Sequence, residues 1–152
     1  MLKVFIDAKM DFVIVGGFAG VLHGSSMVTK DLDLCFLLSL DNVEQLRSAL
    51  RAFHPKLRMT PQKLSFLEFP EDARQLKNLY LETDLGIVDI IREVTGVGDF
   101  QRVADRAVVV ELFKQSVKVM CLEDLIAAKQ ALGRAKDLAM VKELRLIQER
   151  QR

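Results

Sequence analysis

The sequence predicts an α+β (mixed α/β) fold: a mixed β-sheet flanked by helices, with two further helices closing the chain. Three observations predict it. An apolar run ends at Gly16-Gly17 and passes directly into a helix-compatible stretch. Two later segments, 79–91 and 107–120, read as hairpins, which argue against a fully parallel sheet. Residues 122–132 and 135–150 then carry helical patterning to the end of the chain.

In chain order, residues 2–9 read as a short helix and Phe12-Val13-Ile14-Val15 as a buried strand. Residues 17–23 form a helix straight after the glycine turn. Asp31 to Leu38 is the second strand. Asp41, with Glu44 three residues on, looks like an N-cap, and its helix runs to about Phe53 on a stripe of Leu46, Leu50 and Phe53. From His54 to Asn78 the pattern is broken by Pro55, Pro61 and Pro70, leaving Leu64 to Phe69 as a plausible short strand. Leu79 to Thr83 and Ile87 to Ile91 flank a turn at Asp84-Leu85-Gly86. Gly96 and Gly98 mark a loop, a short helix fits 99–105, and Ala107 to Phe113 pairs with Ser116 to Met120.

The 152 residues suffice for one domain, 1–152, with a real core, and half of them are hydrophobic. A net charge of +1 offers no basic surplus for a nucleic-acid polymer. The uncharged run Phe12 to Thr29 is too interrupted by glycines for a membrane helix, and the N-terminus lacks a secretion signal. Cys35 and Cys121 sit in apolar strand-like contexts that suit reduced core residues, so the expectation is a cytoplasmic protein without a membrane partner.

Asp31 and Asp33 are the most informative pair. A strand sends alternate side chains to one face, so both carboxylates point the same way, about 7 Å apart along the chain. Cys35 and Leu37, next on that face, are apolar. Like charges on a buried face need a positive partner, and carboxylate oxygens suit a divalent cation. Gly16 and Gly17 let backbone approach a ligand closely, and the helix start behind them offers N–H groups to an anion. Metal next to phosphate is the requirement of a magnesium-bound nucleotide. A third acid has two candidates. Asp84 lies in a turn, where aspartate is favoured locally. Asp89 is embedded in Ile87-Val88-Asp89-Ile90-Ile91 and needs a partner, so it is preferred. The alternative for Asp89 is a structural acid bonded to backbone or to an arginine such as Arg92 or Arg102.

Gly16-Gly17, thirteen intervening residues and Asp31-Leu32-Asp33-Leu34 resemble the signature of the nucleotidyltransferase superfamily, the DNA polymerase beta-like fold. Asp124-Leu125-Ile126-Ala127-Ala128-Lys129, followed by Arg134, Lys136 and Asp137, is similar to the closing helical motif of compact bacterial members, including those of abortive-infection and toxin–antitoxin systems. The resemblance implies Asp31, Asp33 and Asp89 as catalytic acids and ligands of Mg2+ or Mn2+, with a nucleoside triphosphate as co-substrate. It implies contacts to that nucleotide from Gly16, Gly17, Ser25 and Lys129. Lys129 lies on the apolar helix face with Leu122, Leu125 and Ile126, where a lysine either snorkels or meets an anion. Asp137 reads as a helix-start residue with no chemistry. His23 reads as a packed or capping residue rather than an acid–base group.

One departure stands out. Relatives often carry an arginine two residues before the threonine that precedes the aspartate pair, and Met27 occupies that place. The resemblance therefore implies transfer of a nucleoside monophosphate to an unidentified hydroxyl of a protein, a tRNA end or a small molecule. Its alternative is a non-catalytic nucleotide- or partner-binding member, with a partner protein or a second copy of the chain.

Overall fold

The computed structural model describes residues 1–152. Its elements are α1 (Leu2–Asp7), β1 (Phe12–Val15), α2 (Gly16–Leu22), β2 (Leu32–Phe36), α3 (Leu40–Leu50), β3 (Lys56–Leu57), β4 (Asn78–Thr83), β5 (Gly86–Ile91), β6 (Glu93–Val94), β7 (Gly98–Asp99), α4 (Phe100–Asp105), β8 (Val108–Leu112), β9 (Gln115–Val119), α5 (Leu122–Leu132) and α6 (Ala135–Arg150). Seven strands form one mixed sheet in the order β3-β4-β5-β2-β1-β9-β8, and β6 pairs with β7 as a separate ribbon. β2 runs parallel to β5 and antiparallel to β1, while β1 runs parallel to β9. The α+β architecture read from the sequence is the observed one.

All four residues of β1 are buried, as are Leu34, Cys35 and Phe36 in β2. Alternation would expose every second residue, so both faces of these central strands are covered. Val43, Leu46 and Leu50 pack the inner stripe of α3 with no exposed surface. No helix is long and apolar enough to cross a membrane. Cys35 and Cys121 are both free and buried.

Four local expectations are corrected. The N-cap of α3 is Ser39, whose hydroxyl accepts the Asn42 N–H at 3.1 Å. Asp41 lies inside the first turn, where its charge still favours the positive end of the helix dipole. The helix stops at Leu50 and tightens into a 3-10 turn, Arg51–Phe53. Residues 64–69 are turns, with only Ser65 bridging to Lys56. Around that bridge the Leu57 N–H donates to Leu64 O at 2.8 Å and the Phe66 N–H to Pro55 O at 2.9 Å, while buried Arg47 donates to Phe66 O at 2.8 Å and to Pro70 O at 2.9 Å, with its guanidinium over the Phe66 ring. Finally, β2 is shorter than expected at both ends: Asp31 lies in a bend just before Leu32, outside the strand, and Leu37 leaves the sheet half-exposed after Phe36. The apolar neighbour of the carboxylates on their face is therefore Cys35 alone.

Candidate active site

Strand register builds the site. Asp33 lies opposite Asp89 across the parallel β2–β5 pair and opposite Val15 across β1–β2. Asp89 in turn lies opposite Tyr80 of β4. Laterally paired residues share a sheet face, so Tyr80, Asp89, Asp33 and Val15 form one row across four strands. β3 extends it. Leu57 pairs with Leu81, and the next residue, Arg58, donates its backbone N–H to Tyr80 O at 2.9 Å.

Gly16 follows Val15 and so sits next to Asp33. It has φ +65°, and a Cβ there would collide with Asp33 Oδ2. A side chain at this point would be strained by backbone and by contact alike. A Cβ on Gly17 would press to 3.0 Å from Thr29 Oγ1. The room left by both glycines is thus taken by side chains of the loop and strand that carry the acids.

Asp33 and Asp89 are held differently. Burial first, then the neighbouring Asp89 and Asp31 carboxylates, push the Asp33 carboxyl up to about 6, against the opposing charges of Lys129 and Lys136. Asp89 Oδ1 accepts a hydrogen bond from an Arg58 terminal nitrogen, and the guanidinium lies 5.7 Å from the Tyr80 ring centroid. That bond holds Arg58 still more firmly protonated than usual. Sequence reasoning allowed an arginine partner for Asp89 but named the wrong ones. Arg92 reaches toward Leu76 O, and Arg102 joins Arg106 on buried Asp124, tying α4 and the residue after it to α5. Asp84, the other third-acid candidate, lies in the β4–β5 turn, exposed, with His54 Nδ1 at 2.6 Å.

The α5–α6 junction brings up positive charge. Gly133 at φ +68° ends α5, and Asp137 closes the start of α6 by accepting the Arg134 backbone N–H at 3.3 Å. Lys129, almost buried, reaches Asp137 at 3.5 Å, and Arg134 bonds the same carboxylate. The Arg134 bond, with help from Lys129, keeps the Asp137 carboxyl below the usual range. Ser25 donates to Glu143 at 2.8 Å, and Ser26 adds two bonds to the same carboxylate. His23 Nε2 lies 2.7 Å from Met120 O, a packed role.

No family model and no curated protein sequence matches this chain. Solved structures do. A lincosamide antibiotic adenylyltransferase, LnuA, in its lincomycin-bound form is similar over 96% of this chain and 92% of its own, with a TM-score of 0.63 at 16% identity. The chain has the nucleotidyltransferase fold. An antigenic nucleotidyltransferase-like protein from Paracoccidioides brasiliensis matches over 93% of this chain and 70% of its own, with a TM-score of 0.52 at 18% identity. ANT(2")-Ia in complex with adenylyl-2"-tobramycin matches over 95% and 92%, with a TM-score of 0.50 at 13% identity.

Within this nucleotidyltransferase fold the acids suit a hard divalent cation by chemistry. They offer only oxygen donors, and Asp33 is crowded by two like charges that a cation would relieve. As they stand, no three acidic, imidazole or thiol groups lie close enough to ligate one ion, and Asp89 is engaged by Arg58. Arg58 is the residue that sequence reasoning missed. It follows a two-residue strand in an irregular segment, and no local pattern marks it.

Proposed function

We propose that the chain is a metal-dependent nucleotidyltransferase. It moves a nucleoside monophosphate group from a nucleoside triphosphate to a hydroxyl acceptor. The acceptor oxygen forms a bond to the α-phosphorus, the bond from that phosphorus to the bridging oxygen breaks, and pyrophosphate leaves. The observation that carries this reading is the lateral register of Asp33 with Asp89, beside the turn at Gly16.

Asp31 and Asp33 would hold Mg2+ or Mn2+, with Asp89 as the acceptor-side ligand. The chemistry such an ion supplies when bound is charge neutralisation at the phosphates and activation of the acceptor oxygen. Asp89 takes the acceptor proton. Lys129 and Lys136, whose charges already act on Asp33, meet the triphosphate from the α5–α6 junction. Gly16 and Gly17 keep the turn narrow enough for backbone to approach the phosphates. Ser25 donates to a phosphate only by giving up its bond to Glu143. The antibiotic ligands in two similar structures support a small hydroxylated acceptor over a protein or a tRNA end. Buried, free Cys35 and Cys121 suit the reducing cytoplasm.

A second reading is favoured by one observation, the Arg58 bond to Asp89. In it the chain binds nucleotide or a partner protein without catalysis, as one component of a toxin–antitoxin pair. The test is pyrophosphate release from each triphosphate with Mg2+ or Mn2+, over a panel of lincosamide and aminoglycoside acceptors. Transfer that falls at least ~1,000-fold in Asp31→Ala supports the enzyme. Near-normal transfer in that variant overturns the acid assignment. Nucleotide binding without pyrophosphate release supports the second reading.

A further inference from the structure

We propose that Arg58 is a switching counter-ion. It holds Asp89 while the site is empty of nucleotide and passes to the triphosphate when nucleotide arrives, so that nucleotide and divalent cation bind cooperatively. This rests on the nucleotidyltransferase reading above.

Three observations lead there. The guanidinium is under-used where it sits. It has five N–H donors in a rigid fork, yet it makes one strong bond, to Asp89 Oδ1. Its other terminal nitrogen faces the weak acceptor Met59 Sδ at 3.7 Å, and its buried Nε has no partner at all. An incoming chain of phosphate oxygens offers such a fork the acceptors that one carboxylate oxygen does not. The residue is also anchored at its base and free at its head. Its backbone is fixed to Tyr80 O at 2.9 Å and its side chain lies against the Tyr80 ring, while 26% of the side chain stays exposed. A change of partner needs only the outer torsions to move. Lastly, the charges are linked. Asp89, Asp31 and Glu82 all act on Arg58, and Asp31 and Asp89 also act on Asp33. Drawing the guanidinium away leaves those acids short of a cation, and a divalent ion restores the balance. The anion that removes Arg58 and the cation that replaces it therefore favour one another, reciprocally.

The test uses the full chain and two separate titrations: Mn2+ alone without nucleotide, and inorganic tripolyphosphate in EDTA. Arg58→Met is expected to bind Mn2+ about tenfold more tightly than the parent chain and tripolyphosphate about tenfold more weakly. Asp89→Asn, which releases Arg58, is expected to bind tripolyphosphate several-fold more tightly and Mn2+ more weakly. An ion pair with only a structural role predicts lower melting temperatures in both variants and a gain of affinity in neither. Unchanged Mn2+ affinity in Arg58→Met, or no gain for tripolyphosphate in Asp89→Asn, overturns the switch. Should Arg58→Met fail to fold, the Asp89→Asn arm decides alone. If the parent chain binds both probes and the variants match it, the switch falls and the nucleotidyltransferase reading stands. If the parent chain binds neither at millimolar levels, both fall.

Discussion

Asp33 and Asp89 face each other across one strand pair, but the molecule treats them in opposite ways. Asp89 has a guanidinium bonded to it and laid against Tyr80. Asp33 has burial and two carboxylates around it, lysines acting only at a distance, and a carboxyl pushed up to about 6. One acid is compensated in advance, and its neighbour is left wanting a cation. A site meant only for stability gains nothing from the second arrangement, since a crowded carboxylate destabilises the fold whenever it ionises. The contrast supports the proposed function at one point: on the Asp33 side the chain tolerates a charge that a ligand can satisfy.

The largest expected effect breaks that side outright. Asp33→Ala should lower nucleotidyl transfer by at least ~1,000-fold while leaving the chain folded, checked by pyrophosphate release alongside circular dichroism. Next comes the cationic junction. Asp137 is buried between Lys129 and Arg134, and Asp137→Ala leaves Lys129 nearly buried without its partner. Urea unfolding should show a loss of about 3 kcal/mol.

A pH experiment sharpens the comparison. The Asp33 carboxyl rises from 3.8 to about 6 on folding, so between those values the native chain binds more protons than the unfolded one. Stability of the metal-free protein should therefore fall as pH climbs through about 6. Asp33→Asn removes this penalty. At pH 8 the variant should exceed the parent chain by at most about 3 kcal/mol, and below pH 4 the two should converge, as read from urea melts. A parent chain whose stability is flat from pH 4 to pH 8 denies the asymmetry.

The same contrast marks what the sequence could express. Asp33 declares itself because an acid in an apolar strand is a local signal, and Asp89 does so because an acid among isoleucines is costly without a partner; Asp31 was legible only as its neighbour, since it lies just before the strand. The pairing of Asp33 with Asp89 is not local. It depends on β2 choosing β5 as its parallel neighbour, which no short pattern dictates. Arg58 was hidden more deeply. Its segment is held by Arg47 bonding two distant carbonyls and by buried Phe66, so it has neither a helical nor a strand period to read. The glycine turn was legible as a close approach, but the approaching atoms belong to Asp33 and Thr29. Ser39 and Asp41 both satisfy the capping preference, and only the geometry of the Asn42 N–H separates them.

The smallest expected effect tests the choice of third acid. Asp84 lies in the turn and Asp89 in the second strand of the same hairpin, and each has a partner, His54 for one and Arg58 for the other. They differ in surroundings. Asp84 and His54 are exposed at the turn, where solvent screens their attraction and an ion pair is worth little. Asp89 lies in the row with Asp33, mostly shielded. Asp84→Asn should therefore leave Mn2+ affinity and transfer at parent levels and move stability by no more than about 0.5 kcal/mol. Asp89→Asn should lose transfer by orders of magnitude. A variant of Asp84 that lowered transfer as much as one of Asp89 would mean that the acceptor is held from the turn rather than from the sheet, and the row of five residues would lose its place as the reacting face.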